Sequence, residues 1–64
     1  MNETLKNLYV YLLLHKNESL TDIDCMNNVE GVTSSNVMQL LTDLESKGKI
    51  EIDHGYVHPT ITVI

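Results

Sequence analysis

Apolar residues recur at helical spacing along the first quarter of the chain. The ladder predicts a core-facing helix over about residues 3–16, with Asn2 or Thr4 as its N-cap. Asn17 follows at the position of a left-handed C-cap. The ladder consists of Leu5, Leu8, Tyr9, Leu12 and Leu13.

Two further helices are predicted in the middle of the chain. Thr21 precedes an acidic first turn, which indicates a short helix over about residues 22–28 after a connector able to form a brief strand. The cleanest amphipathic pattern predicts a third helix over about residues 34–47, capped by Thr33 and stopped by Lys47 and Gly48. Its apolar positions are Val37, Leu40, Leu41 and Leu44.

The pattern changes from helical to alternating after Gly48. Residues 49–53 alternate as a half-buried strand, and His54-Gly55 suits a two-residue hairpin turn. Residues 56–63 form the returning strand, with Val57, Ile61 and Val63 on one face, and the whole hairpin covers about residues 49–63. Since Pro59 lacks an N–H donor, we expect the second strand to lie at a sheet edge there.

The elements fit one small α+β domain over residues 1–64, mainly α: three helices and a C-terminal β-hairpin. Chains of 64 residues bury a small core and often gain stability by association. With a single Cys25 no internal disulfide is possible, and we expect a reducing compartment. The N-terminus lacks a basic signal-peptide region, and the apolar run 8–14 is too short to span a bilayer, so we expect a cytoplasmic protein without membrane contact.

The first helix is apolar on more than its core face. Val10, Tyr11 and Leu14 fall partly outside the core stripe. A helix that is apolar nearly all round is usually buried all round. These three residues either fill the core from several sides or form a homodimer seam, which is our expectation.

Charge bears on the choice of partner. Four lysines and no arginine stand against nine acidic residues, giving a net charge of −5. Non-specific DNA affinity arises mainly from cationic side chains that displace counterions. The overall charge therefore counts against nucleic acid, although a local basic patch can override it.

The segment "SLTDIDCMNNVEGVTSSNVMQLLTDLESKGKIEI" resembles the winged helix-turn-helix domains of small bacterial and phage regulators, the MarR type and the fimbrial-regulator type above all. It has a small polar start, a Val-x-x-Leu-Leu-x-x-Leu-Glu core and a Lys-Gly-x-Ile exit. The resemblance extends over nearly the whole chain. It implies a winged helix-turn-helix fold and a transcription regulator that binds double-stranded DNA, here expected as a homodimer.

The resemblance implies a recognition helix over about residues 34–47 that lies in the major groove. Asn and Gln side chains pair with adenine, and Ser bonds to phosphates or base edges. Lys47 and Lys49 would contact the backbone and His54 the minor groove. Together the implied DNA-binding residues are Ser34, Ser35, Asn36, Gln39, Lys47, Lys49 and His54.

Departures from the family pattern motivate an alternative function. Related domains often carry arginine where this chain has Gln39 and Asp43, and Met38 is apolar at a usually polar position. The tip 53–55 has no Arg or Lys for a minor groove. The alternative is an acidic protein-interaction module, such as a phage-type inhibitor, an antirepressor or a small subunit, that binds a basic protein in place of DNA.

Neither catalysis nor metal binding is expected. The chain has no nucleophile–base pair or glycine-rich phosphate loop, so we expect no enzyme and no cofactor. Cys25, His15, His54 and His58 match no zinc spacing, and Cys25 is better interpreted as a small buried apolar residue.

Overall fold

The computed structural model describes residues 2–64 and contains three helices and a three-stranded antiparallel sheet. This confirms the predicted α+β class with three helices. The elements in chain order are α1 (Glu3–Leu14), β1 (Leu20–Thr21), α2 (Asp22–Asn28), α3 (Val37–Ser46), β2 (Ile50–Asp53) and β3 (Thr60–Val63).

α1 begins where the sequence predicts and ends earlier. The side chain of Asn2 caps it by accepting a hydrogen bond from the Leu5 N–H at 2.7 Å. The helix ends at Leu14, so its predicted extension to residue 16 is wrong. The left-handed cap at Asn17 is also wrong, because within residues 2–64 only Gly31 and Gly48 have positive φ.

α2 has the predicted bounds because its cap is encoded locally. The Asp24 carboxylate accepts a hydrogen bond from the Thr21 N–H at 2.9 Å, and the two side chains bond at 3.3 Å. This reciprocal capping box satisfies amide groups that a helix N-terminus leaves without partners.

α3 begins three residues later than predicted. Residues 34–36 form a turn in which the Val37 N–H donates to the Thr33 carbonyl at 2.9 Å. The C-terminus ends as predicted: Gly48 donates to Glu45 and Lys49 to Leu44, at 2.9 and 3.0 Å. With Gly48 at φ 74°, these bonds form a Schellman motif.

The sheet has the strand order β1-β3-β2, with both pairs antiparallel. The prediction that β3 lies at an edge is wrong, since β1 pairs with it through Leu20 and Ile61. Pro59 lies in the loop immediately before β3, where its missing N–H costs no ladder hydrogen bond.

The prediction of a two-residue turn at His54-Gly55 is wrong, because residues 54–59 form a six-residue loop. The Asp53 carboxylate accepts a hydrogen bond from the Gly55 N–H at 2.9 Å, which turns the chain out of the ladder. Pro59 then delays the return to the ladder until Thr60. Consequently Val57 is 94% exposed and does not share the inner face of Ile61 and Val63.

The core lies between the three helices and the inner face of the sheet. Cys25 is fully buried in it, as predicted, whereas Leu13 of the predicted α1 ladder is 40% exposed. The buried residues are Leu5, Leu8, Leu12, Leu20, Cys25, Val29, Val32, Val37, Leu41, Leu44, Ile50 and Ile61.

Candidate nucleic-acid interface

One side of α3 and its preceding turn is exposed and uncharged. Val37, Leu41 and Leu44 anchor the opposite side in the core. We call the exposed side chains the polar face of α3: Ser34, Ser35, Gln39, Thr42 and Ser46. All five carry hydrogen-bonding groups of the kinds that contact base edges and phosphates.

Sequence reasoning missed two members of the polar face, Thr42 and Ser46. Both follow Gln39 at helical spacing, three and seven positions on, so the periodicity that placed the core side also contained this signal. The hydroxyl of Ser46 already donates a hydrogen bond within the helix, to the Asp43 carbonyl at 2.7 Å.

Asn36 lies half-buried beside the polar face with both amide atoms engaged inside the chain. Its Oδ1 accepts a hydrogen bond from the Thr33 N–H at 2.8 Å, and its Nδ2 donates to the Gly31 carbonyl at 2.9 Å. Asn36 therefore fastens the turn before α3, and its amide has no free edge to offer adenine in this geometry.

The two predicted phosphate-contacting lysines are both engaged within the chain. Lys47 Nζ forms an ion pair with the carboxylate of Asp43 one helical turn earlier. Lys49 Nζ lies 5.8 Å from the centre of the Tyr9 ring, within cation–π range. Neither of these two lysines is therefore free beside the polar face.

A cleft of about 320 Å³ runs between the start of α1 and α3. Its walls are polar apart from one leucine, so a partner that contacts the polar face also meets the N-terminus of α1. The lining residues are Asn2, Thr4, Asn36, Gln39, Leu40 and Asp43.

The loop 54–59 connects β2 to β3, and His54 in it is exposed. Tyr56 and Val57 are also exposed, at 63% and 94%. His58 Nδ1 lies 3.4 Å from Oδ1 of Asp22, which ties the loop to the start of α2. That carboxylate oxygen is buried and makes no hydrogen bond within residues 2–64, so the His58 ring is a polar group placed to compensate its charge.

The three residues of the predicted dimer seam do not all lie on one exposed surface. Val10 and Leu14 are 45% and 76% exposed. Tyr11 instead packs against the core, and its ring centre lies 4.6 Å from that of His15. Leu13 lies on the exposed side of α1 with Val10 and Leu14.

A second cleft, of about 420 Å³, lies between residues 16–19 and the outer end of the β2–β3 hairpin. Its rim carries both charges and one phenol, from Lys16, Glu18, Asp53 and Tyr56.

Burial raises the pKa of the Cys25 thiol to about 12, with Asp24 and Asp22 adding to the effect. Such a thiol is unreactive at neutral pH.

Two findings concern the described residues 2–64 as a whole. No three His, Cys, Asp or Glu side chains among them lie close enough together to hold a metal ion. None of the three helices has the length and apolar character needed to cross a bilayer.

Comparison of this chain with known proteins found no match among family models, curated proteins or solved structures.

Proposed function

We propose that this chain is a small winged-helix DNA-binding regulator that presents the polar face of α3 to the major groove. The order of three helices and a β1-β3-β2 sheet is compatible with a winged-helix layout. In that layout the loop 54–59 is the wing and α3 the recognition helix.

The observation that carries the proposal is the exposure of the polar face on a helix whose other side is fixed in the core. Gln39 offers a carboxamide for adenine, and Thr42 offers a hydroxyl and a methyl group for thymine. Ser34 and Ser35 offer hydroxyls at the end of α3 where phosphates are favoured. A rigid helix with free polar side chains has the geometry that base reading requires.

The lysine contacts determine how such binding depends on salt. Because Lys47 and Lys49 are engaged with Asp43 and Tyr9, few phosphates would be neutralised. The logarithm of the affinity falls with the logarithm of salt in proportion to the phosphates neutralised. We therefore expect a shallow salt dependence, with hydrogen bonds to bases and backbone as the main source of affinity.

The proposal is tested by selecting duplexes from a randomised pool at low salt and measuring their affinity by fluorescence anisotropy. Thr42→Ala and Gln39→Ala should each weaken the selected duplex by about 1–3 kcal/mol, while leaving binding to a scrambled duplex unchanged. Thr62→Ala is the matched control, since it removes another exposed threonine, from the outer face of β3. If no duplex is enriched, or if Thr62→Ala is as harmful as Thr42→Ala, the proposal is wrong.

A second candidate function is an acidic module that binds a basic protein. It is favoured by Glu51 and Asp53, both exposed on the edge strand β2, in a chain of net charge −5 whose lysines near α3 are engaged. Such a surface presents carboxylates where DNA presents phosphates.

The two candidates differ in their response to charge reversal. A chain carrying Glu51→Lys and Asp53→Lys should lose a basic protein partner under the second candidate, whereas under the first it should bind the selected duplex at least as tightly. Failure of every duplex to bind at low salt, together with loss of a purified basic partner on charge reversal, would establish the second candidate.

A further inference from the structure

The exposed side of α1 is apolar in its second half and polar in its first half. Val10, Leu13 and Leu14 are 45%, 40% and 76% exposed. Glu3, Lys6 and Asn7 are also exposed, and at 100° per residue all six lie within about 60° of the direction of Val10. We call these six side chains the α1 stripe.

From this stripe we propose that two copies of the chain associate through antiparallel packing of α1 on α1, with the two-fold axis passing at Val10. Isologous contact through one self-complementary patch is the commonest form of homodimer. The proposal concerns a surface distinct from the polar face of α3 and holds whether or not the chain binds DNA.

Antiparallel packing brings opposite halves of the stripe together. Segments equidistant from Val10 lie at the same level, so residues 13–14 of one copy face residues 6–7 of the other. Leu14 then lies nearest Asn7, and Leu13 nearest Lys6, because the members of each pair lie on the same side of the Val10 direction. The methylene groups of Lys6 can then cover leucine surface while its ammonium group stays in water. The apolar half of each helix is thereby covered without requiring an apolar partner half.

The charges favour the same orientation. Glu3 lies seven positions before Val10, which places it past Leu14, the last residue of α1 in the other copy, on the side of the turn that contains Lys16. In a parallel pair Glu3 would meet Glu3, and Lys6 would meet Lys6. The antiparallel pair also places the positive end of each helix dipole beside the negative end of the other.

Net charge singles out this face for self-association. Residues 3–16 contain one carboxylate, Glu3, and two lysines, Lys6 and Lys16, which leaves this segment at +1. Because the net charge of the whole chain is −5, the residues outside 3–16 together carry a net charge of −6. Two copies that approach through the edge strand β2 bring the exposed carboxylates of Glu51 and Asp53 together, whereas approach through α1 keeps them apart.

The size of the contact sets its expected strength. A stable interface buries roughly 800 Å² on each partner, and the exposed surface of one copy is 4124 Å². A single helix pair covers less than that roughly 800 Å². We therefore expect a concentration-dependent dimer rather than a permanent one.

Sedimentation equilibrium tests the dimer. The average mass should rise from monomer towards dimer with increasing concentration, and Leu14→Glu should shift the transition to at least tenfold higher concentration. Val57→Glu is the matched control, since it places the same charge on an apolar side chain that is exposed in the loop 54–59. A chain that stays monomeric at the highest soluble concentration would overturn the proposal, as would equal effects of the two variants.

Disulfide trapping tests the orientation of the two α1 helices. The native Cys25 does not interfere because it is fully buried. Val10→Cys should cross-link to itself on mild oxidation, and an equimolar mixture of Leu14→Cys and Asn7→Cys should form a mixed dimer. Leu14→Cys alone should not, because antiparallel packing places its two copies about 12 Å apart along the axis, beyond the roughly 7 Å that a disulfide allows. Efficient self-linking of Leu14→Cys at the same protein concentration would contradict the antiparallel arrangement.

Discussion

The Glu45 carboxylate accepts a hydrogen bond from the backbone N–H of Ile52 at 3.1 Å, joining α3 to the edge strand β2. Among the residues that the structure describes, β2 has only β3 as a neighbouring strand, so backbone groups on its other side lack a strand partner. An edge with unpaired N–H groups is a site for unwanted strand pairing. Glu45 therefore satisfies an edge donor and fixes the sheet relative to the proposed recognition helix.

Replacing Glu45 by alanine should lower the free energy of unfolding by about 1 kcal/mol, the usual net value of such a hydrogen bond. Glu51→Ala is the control, because it removes an exposed carboxylate from β2 without removing this hydrogen bond. Urea denaturation of both variants measures the difference. Equal stability of the two variants would show that the Glu45 bond contributes nothing.

The two glycines with positive φ should respond differently to alanine. Gly48, at φ 74°, has no atom within 4 Å of an added Cβ, so Gly48→Ala should cost about 1 kcal/mol from backbone strain alone. At Gly31, φ is 87° and an added Cβ would lie 3.1 Å from the Thr4 hydroxyl. Gly31→Ala should therefore be the more destabilising of the two in thermal denaturation, and the reverse order would contradict the described contact.

Asn36 and Ser35 are neighbours with different predicted roles. Since the Asn36 amide bridges Gly31 and Thr33, Asn36→Ala should lower the free energy of unfolding by about 1–2 kcal/mol. Ser35 is exposed, and Ser35→Ala should change stability by less than about 0.5 kcal/mol. Chemical denaturation distinguishes the two variants. An unchanged midpoint for Asn36→Ala would show that the Asn36 amide does not stabilise the turn.

Cys25 should make the folded state sensitive to alkaline pH. Its pKa is raised from 9.0 in the ordinary thiol to about 12 in the folded chain, mainly by burial. Below pH 9 the thiol is protonated in both states and its stabilising contribution is complete. Between about 9 and 12 the unfolded chain ionises first, so the free energy of unfolding should fall as the pH rises.

The comparison variant for this pH dependence is Cys25→Ala. Tyr11, whose pKa is also raised, mainly by burial, remains in both proteins, so its burial effect cancels; the smaller effect of the Cys25 charge on Tyr11 is lost with the thiol and belongs to the measured difference. The wild-type chain should lose stability more steeply than Cys25→Ala between pH 9 and 10.5 in urea titrations. Parallel curves would show that the thiol does not contribute.

Local signals predicted the bounds of α2 and the end of α3 because these helix ends are set by neighbouring residues. The capping box of Thr21 and Asp24 lies entirely within four residues, and the bounds of α2 are confirmed. Gly48 ends α3 for a similarly local reason, its positive φ. At the other end of α3 the pattern of apolar residues could not show that Asn36 bonds back to Gly31, which makes residues 34–36 a turn.

The sheet was predicted less well because its pairing is non-local. Leu20 pairs with Ile61 across 41 positions of the chain, and no periodicity around Leu20 indicates that partner. The β2–β3 turn was misplaced because His54-Gly55 resembles a hairpin dipeptide, whereas Asp53 and Pro59 together open a six-residue loop.

The candidate site was predicted in outline. The sequence placed Ser34, Ser35 and Gln39 on the polar side of the third helix, and all three are exposed. It could not show that Lys47 and Lys49 are engaged by Asp43 and Tyr9, because side-chain partners depend on the packed geometry. Their proposed contacts with DNA remain predictions.

The measurement that tests the central claim most directly is a ¹⁵N-resolved NMR titration of the chain with double-stranded DNA at low salt. We expect shift changes concentrated at Ser34, Ser35, Gln39 and Thr42 and in the loop 54–59, with β1 and the second half of α1, residues 10–14, unaffected. Absence of any change, or changes confined to residues outside the polar face of α3 and that loop, would contradict DNA binding through this surface.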